Sequence, residues 1–137
     1  ECSGYFDDKK LEVHCAIGDK KVEDWFGTLL HELSHVDQYI EQCQAWRDSQ
    51  PGDMNSDELM DRWLDGEDFD NIEEVLKSIC FLELDCEART AQKVKAFPGI
   101  FNYNEYVQKA NAYVAFYKQM YKRRTWYDPK NAPYLNR

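Results

Sequence analysis

His31-Glu32-Leu33-Ser34-His35 is the segment of this 137-residue chain whose residue types and spacing could do chemistry. Histidines at i and i+4 of a helix lie one above the other on the same face. Both imidazoles can then bind one Zn²⁺ through neutral ring nitrogens at about 2.0–2.1 Å. Glu32 is rotated by about 100° from His31 around such a helix, so it leans over the open side of the ion without joining its ligands. A carboxylate there can take a proton from a metal-activated water and later deliver it to a leaving amine. The bland alternative is a pair of surface histidines on an amphipathic helix. Apolar Leu29, Leu30 and Leu33 around the motif speak against it.

A catalytic zinc needs a third protein ligand and a position left open for water. A metzincin-type site would have Gly at position 38 and His at 41, where this chain has Gln38 and Glu41. A third histidine one turn further on would fall at Tyr39. The remaining histidine, His14, lies in a strand-like segment and reads as an exposed strand residue. A carboxylate on another helix is therefore expected. Residues 82–91, LELDCEARTA, carry Glu83 and Glu87 one turn apart, Glu83 lying 48 residues after His35.

In this pairing the chain resembles the gluzincin group of metallopeptidases, which includes thermolysin-like proteases, the CAAX prenyl endopeptidases and anthrax lethal factor-like proteins. Their second helix carries a ligand Glu followed four positions later by Asp or Glu. The matching stretch is Glu83-Leu84-Asp85-Cys86-Glu87-Ala88. The resemblance implies Glu83 as the third metal ligand and Glu87 as the carboxylate that orients a ligand histidine. A rival register, as in ImmA/IrrE-like proteins, makes Glu87 the ligand. The Glu83 register is preferred because it alone leaves a carboxylate at i+4 to fix an imidazole tautomer. Asp85 points about 200° away from Glu83 and is expected to be exposed.

The resemblance spans roughly residues 4–95 and stops at the level of a clan. The HELxHxxQ form, His31 to Gln38, looks like compact domains encoded by bacteria and their phages, and the chain lacks thermolysin's NExxSD context. It implies one Zn²⁺ per chain and hydrolysis of a peptide substrate laid along an edge strand, for which Leu11–Ala16 is the candidate. An oxyanion stabiliser is also implied. The tyrosines at 103, 106, 113, 117 and 121 are available, although their near-helical spacing reads first as a packed stripe.

The elements that must position these residues are legible as periodicities. Leu11, Val13 and Cys15 alternate with Glu12, His14 and Ala16, and Asp7, Asp8 and Lys9 supply a turn, so residues 4–17 read as a hairpin. Trp25, Phe26, Leu29, Leu33, Val36 and Ile40 mark one helix face from Val22 to Trp46. A short helix is expected over Asp57–Leu64. Asp70 and Glu73 form a candidate capping box for a long helix to Phe97, ended by Pro98-Gly99. A last helix should run from Asn104 to Arg124, and the residues around Pro129 and Pro133 read as extended. Together these predict a single α+β, mostly helical, zincin-like domain over residues 1–137. A short N-terminal hairpin would pack on three or four helices, with the metal between two of them.

The net charge is −9, and residues 1–87 carry 24 acidic against 7 basic side chains. Residues 88–137 carry 2 acidic and 10 basic ones, densest at Lys118, Lys122, Arg123 and Arg124. The acidic excess argues against nucleic acid as a partner. The basic tail reads as a solvated face balancing the acidic half, with an acidic partner or DNA-associated substrate as the alternatives. Asp53, Asn55 and Asp57 imitate the start of an EF-hand, but Glu58 and Leu64 occupy positions such a loop reserves for Gly and Glu. Five cysteines without CxxC spacing are not a disulfide framework, although a hairpin would allow Cys2 to pair with Cys15. No apolar run is long enough for a membrane span. A cytoplasmic or virion-associated protein is expected. The other class kept open is a non-catalytic, metal-stabilised structural or interaction module, such as a virion or complex component.

Overall fold

The structure, a computed structural model, describes residues 2–126. Strands β1 (Gly4–Asp7) and β2 (Glu12–Cys15) form an antiparallel pair in the register Gly4↔Cys15 to Asp7↔Glu12. Asp7 Oδ1 accepts the N–H groups of Lys9 and Lys10 at 3.0 Å, and Leu11 closes the turn at φ 56°. Val13 and Cys15 are half-buried while Glu12 and His14 face solvent, as the alternation predicts. Leu11 departs from that pattern because the left-handed turn turns it out to water. The hairpin does not bring Cys2 to Cys15. The register sets Gly4 opposite Cys15, and both thiols are free.

Among the described residues five helices follow, where three or four are expected: α1 (Val22–Glu41), α2 (Gln44–Asp48), α3 (Ser56–Leu64), α4 (Ile72–Val94) and α5 (Tyr103–Arg123). The extra element arises because the helix predicted to reach Trp46 breaks after Glu41. Gln42 takes the left-handed conformation at φ 50°, donating to Tyr39 O, and Cys43 donates to Gln38 O. That is a Schellman ending without its usual glycine. The turn brings Trp46 under cover, with its ring 5.6 Å from that of Tyr39 and 6.1 Å from that of Phe6.

A capping box forms, but on α3 rather than α4. Asn55 Oδ1 accepts the Glu58 N–H at 2.9 Å, and Glu58 Oε2 accepts the Asn55 N–H at 3.1 Å. The expected Asp70–Glu73 box is replaced by Asn71 at the N-cap of α4, with no side-chain cap bond. The extended segment expected around Pro129 and Pro133 lies outside the described residues.

The mostly helical α+β architecture is built on α4. Its first half contributes Val75, Leu76 and Ile79 to a core with Leu59, Met60 and Trp63 of α3 and Tyr117 and Met120 of α5. Its second half turns Glu83, Cys86 and Thr90 toward α1. The buried face of α1 is correspondingly polar: Gly27, Leu30, Glu32, Ser34 and Gln38. The apolar stripe read from sequence covers a flank, and Leu33 and Ile40 are exposed. Arg124 draws the basic tail into the fold by donating to Trp63 O, Glu67 O and Asp68 Oδ1. Among the described residues no helix is long and apolar enough to cross a membrane, and no disulfide is present.

Candidate metal centre

His31 and His35 project from one face of α1 with their ring centroids 4.8 Å apart and nearly perpendicular. Each offers Nε2 to Glu83, one helix away: His31 Nε2 is 3.3 Å from Oε2 and His35 Nε2 is 3.3 Å from Oε1. Both Nδ1 atoms face acceptors on the opposite side of the rings. His31 Nδ1 donates to Glu87 Oε1 at 2.7 Å. His35 Nδ1 is 2.8 Å from Gln38 Oε1. The orientation of that amide is fixed by its other end, since Nε2 donates to Leu82 O at 3.0 Å and Asp85 Oδ2 at 2.7 Å, both acceptors only.

These bonds settle the chemistry of the cluster. With hydrogens on both Nδ1 atoms, neutral rings present bare lone pairs at Nε2, aimed at a carboxylate that also carries only lone pairs. Glu83 is buried, and its Oε2 has no hydrogen-bond partner. Such an arrangement demands a cation, either a divalent metal or extra protons. A tetrahedral ion with bonds of about 2.0–2.1 Å separates its ligand atoms by roughly 3.3–3.4 Å, which the two Nε2–Glu83 distances match. In the absence of an ion the burden falls on protons. Burial favours neutral imidazoles, but Cys86, Glu83 and Glu87 outweigh it at His31, and Glu83 and Cys86 outweigh it at His35, raising both well above the usual range. Burial also works against the Glu83 carboxylate, yet His35 and His31 hold it far below the usual range.

Cys86, one turn before Thr90 on α4, completes a buried group with His31 and His35 that could hold a metal ion, the candidate ligand atoms lying within 4.8 Å of one another. Its Sγ donates to the His31 carbonyl at 3.3 Å and lies 3.7 Å from Nδ1, the nitrogen turned away from Glu83.

Glu32 is buried beside the histidines and lines a cleft of about 690 Å³ that runs between α1 and the start of α5. Burial raises its carboxyl above the usual value, against the pull of His31 and His35. The cleft wall includes Thr28, His31, Glu87, Phe101, Tyr106 and Tyr113. From the hairpin it includes Ser3, while Leu11–Ala16 contribute nothing to it. Ser3 leads directly into β1. A Cβ on Gly4 would lie 2.7 Å from the Thr28 methyl and 3.5 Å from Glu32 Cγ, so the strand rests on the residue carrying the carboxylate.

The structure therefore brings together His31, Glu32, His35, Glu83 and Glu87. His14 lies apart, stacked on Tyr5 and 3.0 Å from Glu12. Asp85, expected to be exposed, is half-exposed and accepts from Gln38 and from the Arg89 guanidinium, the latter at 2.7 Å. The roles of two residues escape the sequence reading. Gln38 is named there only as part of the HELxHxxQ form, and Tyr106 only as one of five available tyrosines, its phenol meeting Glu87 across 19 residues. Comparisons with family models, curated proteins and solved structures return no match for this chain.

Proposed function

We propose that the chain is a zinc-dependent peptidase whose metal is held by His31, His35 and Glu83. The observation that carries this reading is the convergence of two Nε2 lone pairs on the buried Glu83 carboxylate, one at each oxygen, with Oε2 left without a hydrogen-bond partner, beside a second carboxylate in an open cleft. Zinc in that place would supply Lewis acidity, polarising a scissile carbonyl and acidifying a water. Glu32, with its carboxyl raised by burial, would accept a proton from an attacking water and return it to the leaving amine. Glu87 and Gln38 hold the two imidazoles in the tautomer that leaves Nε2 free. Tyr106 and Tyr113 both line the cleft. The Tyr106 hydroxyl donates to Glu87, and that of Tyr113, whose ring lies 6.4 Å from the His31 ring, is 3.1 Å from the Tyr117 hydroxyl, so the bonding singles out neither as the group that steadies a developing oxyanion.

A second reading is favoured by Cys86. If its thiolate turned to join the histidines and Glu83, four protein ligands would close the site, and the metal would only pin α1 to α4. The orientation of Sγ toward Nδ1 and the His31 carbonyl supports the open set instead.

Zinc content by mass spectrometry of wild type, Glu83→Gln, Glu87→Gln and Cys86→Ser, followed by a peptide-library screen, tests the choice. One zinc per chain, abolished by Glu83→Gln and kept in Cys86→Ser with hydrolysis intact, is expected. No zinc after reconstitution overturns the metal reading. Zinc lost with Cys86→Ser, and no hydrolysis in wild type, selects the structural site.

A further inference from the structure

Beyond the ligands, the chain contains a third layer around the metal site. Tyr106, on the first turn of α5, donates its hydroxyl to Glu87 Oε2 at 2.7 Å, and the other oxygen of the same carboxylate takes the His31 Nδ1 proton at 2.7 Å. The carboxylate is thus gripped at both oxygens, and Glu87 is largely buried, at 11% side-chain exposure.

We infer that Tyr106 is a positioning residue: through Glu87 it fixes the orientation and electron-donating strength of His31 and thereby sets metal affinity. The inference rests on the metal reading above, though not on catalysis.

Three observations carry it. A carboxylate on one helix can adopt several rotamers, and a single bond to His31 would leave its second oxygen free to swing toward the cleft. The phenol removes that freedom, because both oxygens now have fixed partners on two other helices. The phenol also stays a donor: burial, with the Glu87 charge beside it, holds it far above the usual tyrosine range. Finally, α1 is shaped to admit it. Gly27, buried one turn before His31, leaves room for the Phe101 and Tyr106 rings, which approach to 3.5 and 4.0 Å of where a Cβ would stand. A larger side chain there would push these rings off α1 and draw the phenol away from Glu87.

The consequence is a graded effect on the ion. The O–H bond to one oxygen holds the other on the His31 Nδ1 proton, and the fixed geometry keeps Nε2 on target. Changes one layer from the ligands commonly alter metal affinity by about 10–100-fold.

The experiment compares wild type, Tyr106→Phe, Glu87→Gln and the double variant, with Tyr103→Phe as a control on the same helix turn. Zinc affinity is measured by competition with a chromogenic chelator, and the visible spectrum of the cobalt(II)-loaded protein reports ligand geometry. About a tenfold loss of zinc affinity in Tyr106→Phe is expected. Its cobalt bands should shift in the same direction as in Glu87→Gln, and the double variant should be no weaker than Glu87→Gln alone. Gly27→Leu should reproduce the Tyr106→Phe spectrum, while Gly27→Ala, at ordinary contact distance, should match wild type. Wild-type affinity and spectrum in Tyr106→Phe overturn the inference, as does a double variant whose losses simply add. A wild type that binds neither zinc nor cobalt overturns the metal reading itself and this inference with it.

Discussion

Glu83 and Glu87, one turn apart on α4, clasp opposite nitrogens of the same imidazole: Glu83 Oε2 lies 3.3 Å from His31 Nε2, and Glu87 Oε1 lies 2.7 Å from His31 Nδ1. The shorter contact is a hydrogen bond with a proton to share, and the longer one is not. This asymmetry separates the two roles that the sequence leaves in competition. A carboxylate that accepts the Nδ1 proton cannot also be the group facing the bare Nε2. The two distances support the proposed register, in which Glu83 faces the metal position and Glu87 orients the ring.

Glu32→Gln should keep the metal and lose the chemistry. The substitution preserves shape but removes the basic oxygen, and general acid–base groups contribute about 10²–10⁴-fold to such rates. Because burial raises the Glu32 carboxyl, its charge is a burden to the folded state, and a neutral amide should leave the melting temperature unchanged or higher. Zinc content, melting temperature and hydrolysis measured on one preparation check this. Loss of zinc along with activity would contradict the assignment of Glu32 to the cleft side of the site.

Zinc should also stabilise the fold. Without an ion, Glu83 keeps a buried oxygen without a hydrogen bond. Zinc at about a thousand times its dissociation constant would add about 4 kcal/mol by mass action, enough for a rise of roughly 10 °C or more in melting temperature. Scanning calorimetry with chelator and with zinc reads this directly. Equal melting temperatures would mean that the cluster is satisfied by protons alone.

Gln38→Leu should damage stability more than any ligand variant. The side chain is fully buried and joins His35 Nδ1, Leu82 O and Asp85 Oδ2 in one amide. Leucine fills the volume but strands a donor and two acceptors, of which Asp85 keeps Arg89. Buried polar groups left unpaired cost about 1–3 kcal/mol each, so a loss of about 2–4 kcal/mol is expected in urea unfolding of the metal-free protein. A loss below about 1 kcal/mol would show that water replaces the amide without difficulty.

Local periodicity made the hairpin and the helices legible, and the i, i+4 spacing of His31 and His35 needed only helical geometry. What escaped depends on partners distant in sequence. The bond from Gln38 to Leu82 spans 44 residues, and that from His31 to Glu87 spans 56. Only the resemblance to a two-helix metal site suggested where the second helix would contribute. The face of α1 was misread for a related reason. Its apolar residues are conspicuous, but the helix meets α4 through Ser34, Gln38 and the histidines, a polar seam made stable by matched hydrogen bonds such as Ser34 with Thr90 at 2.9 Å. The break at Gln42 had no glycine or proline to announce it. A left-handed glutamine is tolerated there because the turn buries Trp46.

Gly4→Ala should disturb the hairpin at the cleft. Its Cβ would come within 2.7 Å of the Thr28 methyl and 2.8 Å of the His14 carbonyl oxygen, and the latter belongs to the paired strand and cannot rotate aside. Overpacking of this kind costs about 1–3 kcal/mol. Since Glu32 Cγ lies directly behind, hydrolysis should fall further than zinc binding. Full activity in a destabilised variant would show that β1 merely covers the carboxylate without positioning it.

The acidic side of the fold gives a pH-dependent prediction through Asp57, in the first turn of α3. The residue is exposed overall, yet its carboxyl is pushed up to about 6, first by desolvation of the charged end, then by Glu83, Asp61 and Glu32, with His35 pulling the other way. The helix N-terminus favours the charged form as well, and desolvation together with the crowd of carboxylates prevails. A carboxyl whose folded value is raised binds its proton more tightly in the native state. Its contribution is therefore favourable below the unfolded value near 4 and is lost as pH rises through 6. Asp57→Asn removes that loss. Relative to wild type, the metal-free variant should gain about 1 kcal/mol between pH 4 and pH 7.5, a figure reduced for the solvent that reaches this exposed residue. Bound zinc would offset the negative charges facing Asp57, so the gain should shrink in the zinc-loaded protein. Urea unfolding at the two pH values, with and without zinc, measures both effects. A pH-independent difference would mean that Asp57 faces solvent rather than the cluster around Glu83.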